Sequence, residues 1–138
     1  MSENLENEVV IATEVNGNAR MKFMPSKFGR HFLRGEAMVF DWAARLSVDY
    51  SGGSWHFYEL SNGGFYLAPA SEPLRVQWDL NHFDGLLGAD AFGIVVSLFA
   101  LCHLAEVTGD DHLVNSYHLL RDYVDTHAEA DLIWRAID

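Results

Sequence analysis

The stretch Trp55-His56-Phe57-Tyr58-Glu59-Leu60-Ser61-Asn62-Gly63-Gly64-Phe65-Tyr66-Leu67-Ala68-Pro69 decides the fold. Two runs rich in aromatic residues flank Asn-Gly, the strongest short hairpin signal a sequence offers. The backbone after Asn62 must take positive φ, which glycine adopts without steric cost. Pro69 lacks an amide donor and closes the second run. Beyond a turn at Ser71-Glu72-Pro73, the run Leu74 to Asp79 alternates, with Leu74, Val76 and Trp78 on one face. These three runs predict an antiparallel three-stranded meander with helices packed on it.

Helical signals lie on both sides. Upstream, Met38, Trp42, Arg45 and Leu46 recur at steps of three and four beside Val39 and Ala43, predicting a helix over Gly35 to Val48. Before it, Met21 and Phe23 alternate with Arg20 and Lys22, and Pro25 predicts a stop, with Ser26 capping a short turn through Phe28. Downstream, Asp84-Gly85 and Leu87-Gly88 read as a loop, and Asp90 is placed to cap or begin a helix over Ala91 to Val107. That helix is apolar on nearly every side, as a central core element would be. After Thr108-Gly109, helices are predicted from about Asp111 to Thr126 and about Ala128 to Ile137. The expected class is α+β, a single compact domain in the order α-βββ-ααα. Residues 1–19 are expected to be a mobile arm that docks at most as one short element, and residues 20–138 the domain itself.

Bulk properties exclude several function classes. Of the 138 residues, 49% are hydrophobic and 13% aromatic, which excludes disorder of the whole chain. The N-terminal residues lack the basic start and apolar run of a signal peptide. The uncharged stretch Ala91 to Ala105 is shorter than the roughly 18–20 apolar residues of a membrane span. A lone Cys102 fits a reducing compartment, so a cytoplasmic location is expected. The net charge is −11. From Val76 onward, 11 acidic residues face only Arg121 and Arg135, whereas residues 1–75 hold 9 acidic and 7 basic residues. A surface so charged repels a phosphate backbone, which disfavours direct nucleic-acid binding and suits a solvated face or a basic partner.

Catalytic and metal motifs are missing. Neither phosphate-binding glycine pattern occurs, nor a Gly-x-Ser-x-Gly elbow. The seven histidines show no i, i+4 pair within a helix, so neither a metal site nor a cofactor is expected. His56 and Glu59 lie three apart on a strand and should point to opposite faces, which argues against an acid/base pair. Cys102, midway along the most apolar helix, reads as a small core residue. The chain is therefore not expected to be an enzyme.

Ordered blocks carry a family resemblance: Phe23-Met-Pro25, Phe28-Gly29, Arg34-Gly-Glu-Ala37, Tyr50-Ser-Gly-Gly53, Trp55-His-Phe57 and Leu60 through Pro69. They continue with Gly88-Ala-Asp-Ala91, Gly93-Ile94, His118-Leu-Leu-Arg-Asp-Tyr123 and Arg135-Ala-Ile-Asp138. Over residues 20–138 the chain resembles the ArdB/KlcA family of antirestriction proteins. The resemblance implies a compact protein, carried by mobile elements such as plasmids, that relieves type I restriction of incoming unmodified DNA. It implies as partner the host type I restriction-modification enzyme or an associated host factor, and it carries over no catalytic residues. Serine is common in that pattern where this chain has Gly88, so Asp90 is expected to replace a missing cap hydroxyl.

The expected mode of action is a non-catalytic interaction. Two alternatives stand beside it: an acidic DNA mimic occupying the restriction enzyme's DNA channel, and a small enzyme acting on DNA or the restriction complex. Candidate contact residues are Asp122, Asp125, Glu129, Asp131 and Asp138, which crowd the last two helices with few basic neighbours. Tyr58 and Tyr66 join them if one sheet face is left open; the other reading has helices covering both faces.

Overall fold

The structure is a computed structural model that describes residues 9–138. Its elements are β1 (Ala12–Glu14), α1 (Ala19–Phe28), a 3-10 turn (Gly29–His31), α2 (Phe32–Leu46), β2 (Trp55–Leu60), β3 (Phe65–Pro69), β4 (Leu74–Trp78), β5 (Phe83–Leu87), α3 (Ala89–Thr108), α4 (Asp111–Val124) and α5 (Ala130–Ile137). The class is α+β, with a three-stranded antiparallel sheet and helices around it, as the sequence predicts.

The hairpin forms as expected: Tyr58 pairs with Tyr66 and Trp55 with Pro69. Gly63 has φ 95°, a conformation that a side chain would strain. Gly64 serves differently, since a Cβ there would sit 3.0 Å from Leu119 Cβ on α4. Asn62 clasps the turn to that helix, accepting from the Gly64 amide at 2.9 Å and donating to the Leu119 carbonyl at 2.9 Å.

The third strand of this sheet is a correction. Leu74–Trp78 is a strand, but it pairs with Phe83–Leu87 in a separate two-stranded ribbon, and the predicted loop at Asp84-Gly85 lies inside β5. The predicted place beside β3 holds no strand, and the sheet's third strand is Ala12–Glu14 on the opposite edge, beside β2, the short docked element of the N-terminal segment. Residues 1–8, the rest of the expected arm, lie outside the described residues.

A second correction concerns α1, predicted as an alternating run ended by Pro25. It is a ten-residue helix that contains Pro25. Burial overrides the local signal: Phe23, Met24 and Phe28 all face the core. Phe23 stacks on Phe57 at 4.7 Å and Phe28 meets Phe65 edge-on at 5.2 Å. Gly35 of α2 admits the Phe28 ring, which a Cβ would meet at 2.6 Å.

Helix α3 runs through the middle of the core, against α2, α4 and β3. Eleven of its residues are buried, and Gly109 ends it at φ 69° in the left-handed cap. It is long and apolar enough to cross a membrane by length and composition, but it lies mostly buried inside the fold. At Gly93 it touches β3 directly. A Cβ there would fall 2.4 Å from Ala68 Cα, Ala68 Cβ and the Leu67 carbonyl. One turn on, Ser97 Oγ accepts from the Leu67 amide at 3.1 Å and lies 3.3 Å from the Leu67 carbonyl, satisfying a buried strand edge.

Candidate interaction surface

Both faces of the three-stranded sheet are covered. Trp55 and Phe57 meet α2 and α1 through Phe40 and Phe23, while Tyr58, Tyr66 and Tyr123 stack from β2 through β3 to α4 at 4.7 Å and 5.9 Å. Tyr66 is 1% exposed, so its side chain is core; Tyr58 is half-buried at the rim of the stack.

The stack ends on a polar hub built from segments distant in sequence. The Tyr66 hydroxyl donates to Asp90, with 2.9 Å and 3.0 Å to the two carboxylate oxygens. His127 Nε2 lies 2.8 Å from Asp90 Oδ2. The Glu129 amide donates to His127 Nδ1 at 3.0 Å, which assigns the proton to Nε2 and makes that nitrogen the donor to Asp90. Burial, then the Asp90 charge and its hydrogen bond, push the Tyr66 phenol far above its ordinary 10.0. The Tyr58 and Tyr123 phenols are also raised, by burial first and the Asp90 charge second.

Asp90 is therefore not the replacement cap that the resemblance implied. It sits in the first turn of α3, where its charge suits the helix dipole, and its oxygens are used by Tyr66 and His127. Glu129 serves that helix start instead. Its Oε1 accepts from the Gly88 amide at 3.0 Å, and a Cβ on residue 88 would lie 2.7 Å from its Oε2. A serine in this place would press on the carboxylate that stands in for it.

The acidic candidates divide accordingly. Asp122 and Asp125 are exposed and line one hollow of about 250 Å³ with His118, Arg121 and Trp134. Trp134 Nε1 donates to Asp125 at 2.7 Å, and the Arg121 guanidinium lies 5.0 Å from the Trp134 ring centre. Glu129 is turned inward onto α3. Asp138 borders a different hollow with Asn81, His82, Asp84 and Arg135, and Asp131 is exposed and lines neither. The structure thus brings Asp122 and Asp125 together and leaves Asp131 and Asp138 apart from them.

His56 and Glu59 are separated as their spacing predicts: His56 Nδ1 pairs with Glu14 at 3.0 Å and Lys27 Nζ with Glu59 at 2.7 Å. Among the described residues, no three His, Cys, Asp or Glu side chains converge to hold a metal ion. Cys102 is a further correction, being exposed rather than core. The last turns of α3 are amphipathic, and Cys102 and Glu106 share their outer side. The sequence reading missed the hub and the hollow's Arg121 and Trp134. The i, i+4 pair Tyr117 and Arg121 on a helix was the one local signal available for them.

These features belong to a small α+β protein with an acidic helical side. A family profile described as "Antirestriction protein" matches residues 48–138. The chain is 50% identical to an antirestriction protein KlcA of Escherichia coli over 137 residues, covering 94% of each. A second E. coli KlcA is 48% identical over 98% of this chain and 99% of its own, and the uncharacterized protein YafX of E. coli K12 is 40% identical over 91% of this chain and 86% of its own. A solved structure superposes with TM-score 0.88 at 45% identity, over 95% of this chain and 96% of that one. It comes from work reporting that KlcA and ArdB show a novel fold and antirestriction activity against type I DNA restriction systems in vivo but not in vitro. The chain belongs to the ArdB/KlcA antirestriction protein family.

Proposed function

We propose that this protein relieves type I restriction of incoming unmodified DNA by a non-catalytic protein contact, made through the exposed side of α4 and α5. The observation that carries the reading is the hollow at Asp122 and Asp125, where two exposed carboxylates flank an aromatic floor. Such a site accepts a lysine or arginine of a partner by charge, beside the ring that Arg121 already covers. The partner is the restriction-modification enzyme or a host factor associated with it. Activity of KlcA and ArdB in vivo but not in vitro favours the host factor, since purified enzyme and inhibitor then lack a component.

DNA mimicry fits the same charge less well. It needs free carboxylates at the spacing of a duplex backbone, whereas Asp90 is engaged by His127, Glu129 by the Gly88 amide, and Asp84 by Arg75 at 2.7 Å. The test is the double reversal Asp122→Lys with Asp125→Lys, read as plating efficiency of unmodified phage on a restricting host. Loss of at least tenfold protection in a protein with unchanged circular dichroism supports the reading, and full protection by the folded variant refutes it. Competition between the wild-type protein and DNA for purified restriction enzyme would favour mimicry instead.

A further inference from the structure

A second surface adjoins the first along α4. Two hollows adjoin along α3. The first, about 240 Å³, is lined by Cys102, Ala105, Glu106, Val114 and Tyr117. The second, about 110 Å³, is lined by Leu98, Phe99, Cys102, Tyr117 and Ile137. Cys102 and Tyr117 belong to both, so the hollows form one groove between α3 and α4 that ends at the C-terminal turn of α5. Val114 on its wall and Val107 nearby are 40% and 48% exposed. Successive lining positions Leu98, Cys102 and Glu106 are four apart on α3, and four residues of helix rise ~6 Å. The two hollows therefore repeat at the interval at which a docked helix presents its i and i+4 side chains.

Charge specifies the other face of that helix. Among the described residues Glu106 is the one charged residue lining the groove, and residues 89–138 hold nine acidic residues against Arg121 and Arg135. Arg135 lies over Phe83, and Arg121 lies between the rings of Trp134 and Tyr117, 5.0 Å and 5.9 Å from their centres, at the far end of the groove from Glu106. A second copy of this chain would bring the same acidic side to the same acidic side and be repelled. We infer that the Cys102–Tyr117 groove seats an amphipathic helix of a partner protein, two apolar side chains filling the hollows and basic residues facing Glu106. The inference takes from the proposed function only that the protein acts by contact, and it concerns a different set of lining residues.

The test uses the full chain and a fluorescein-labelled 14-residue helical peptide of leucine and lysine, with a leucine–glutamate peptide of the same apolar pattern as control. The lysine peptide should bind and slow alkylation of Cys102, and the glutamate peptide should do neither. Ala105→Trp, which fills the first hollow, should weaken binding at least tenfold. Val114→Lys at the exposed wall should do the same without touching the core. Glu36→Lys, an exposed reversal on α2, should leave affinity within twofold. Equal binding by the two groove variants, or equal weakening by Glu36→Lys, overturns the inference, as does a wild-type dimer that Ala105→Trp dissociates. Both groove variants should lose at least tenfold in restriction relief, and a folded variant that loses peptide binding but keeps relief overturns the assignment to a partner. The Asp122/Asp125 reversal should weaken the peptide less than either groove variant does at physiological salt, where the Debye length is ~8 Å, so each reading fails by itself.

Discussion

Gly93→Ala is the most discriminating perturbation of the fold. In an exposed helix the exchange stabilises, because alanine outranks glycine by ~1 kcal/mol in helix propensity. Here the new Cβ would stand 2.4 Å from Ala68 Cα, Ala68 Cβ and the Leu67 carbonyl oxygen. None of these is the end of a flexible side chain, so α3 must back away from β3 by about 1 Å to restore ordinary contact. That displacement stretches both Ser97–Leu67 contacts, now 3.1 Å and 3.3 Å, beyond useful length. Overpacking costs ~1–3 kcal/mol, and weakening buried hydrogen bonds costs ~1 kcal/mol each. After the propensity gain the net loss is about 3 kcal/mol, or about 10 °C in Tm for a domain of this size. Urea unfolding followed by circular dichroism measures it. A variant as stable as the wild type would refute the close approach, and one more stable would show that propensity rules at this position.

Two further outcomes concern the hub. Tyr66 keeps its proton in the folded state above the pH at which the unfolded chain, with a phenol near 10.0, releases it. Its contribution is therefore complete below pH 10 and declines as pH rises beyond that. Tyr66→Phe should lose about 1 kcal/mol at pH 7 for the bond to Asp90 and show a shallower decline in stability above pH 10, measured by urea midpoints from pH 7 to 11; an unchanged alkaline slope contradicts the assignment. The raised Tyr58 and Tyr123 phenols keep part of that slope. Gly88→Ser should be nearly neutral, because the hydroxyl gained as a cap displaces Glu129, yet it should stabilise by ~1 kcal/mol in a Glu129→Ala background. Additive effects in that cycle would show that the two residues do not share the helix start.

Local chemistry was legible and partner choice was not. The turn at Asn62-Gly63, the stripe Val39, Trp42, Ala43, Leu46 and the stop at Gly109 each follow from spacing within one or two turns of chain. Leu74–Trp78 alternates clearly, but alternation states that a strand has two faces and says nothing of its neighbour. The neighbour of β2 came from three residues, Ala12–Glu14, too short for any period to show. In α1, Pro25 and the Met21, Phe23 alternation outweighed a helix that tertiary burial supports. The hub joins positions 24 and 37 residues apart through single side chains, and only the folded chain aligns them. The acidic excess was visible as a count, whereas the inward turn of Glu129 depends on where α5 begins.

The hydroxyl of Ser97 has a consequence for aggregation. Strand β3 is five buried residues without a charge, and its first four, Phe65 to Ala68, are apolar and free of proline, as in segments that add readily to other strands. A helix side chain, rather than a neighbouring strand, occupies its outer edge. Partial opening that lifts α3 then exposes an adhesive border while the rest of the sheet stays paired. The propensity of this protein to self-associate on storage or mild heating should follow local detachment of that helix, well before global unfolding.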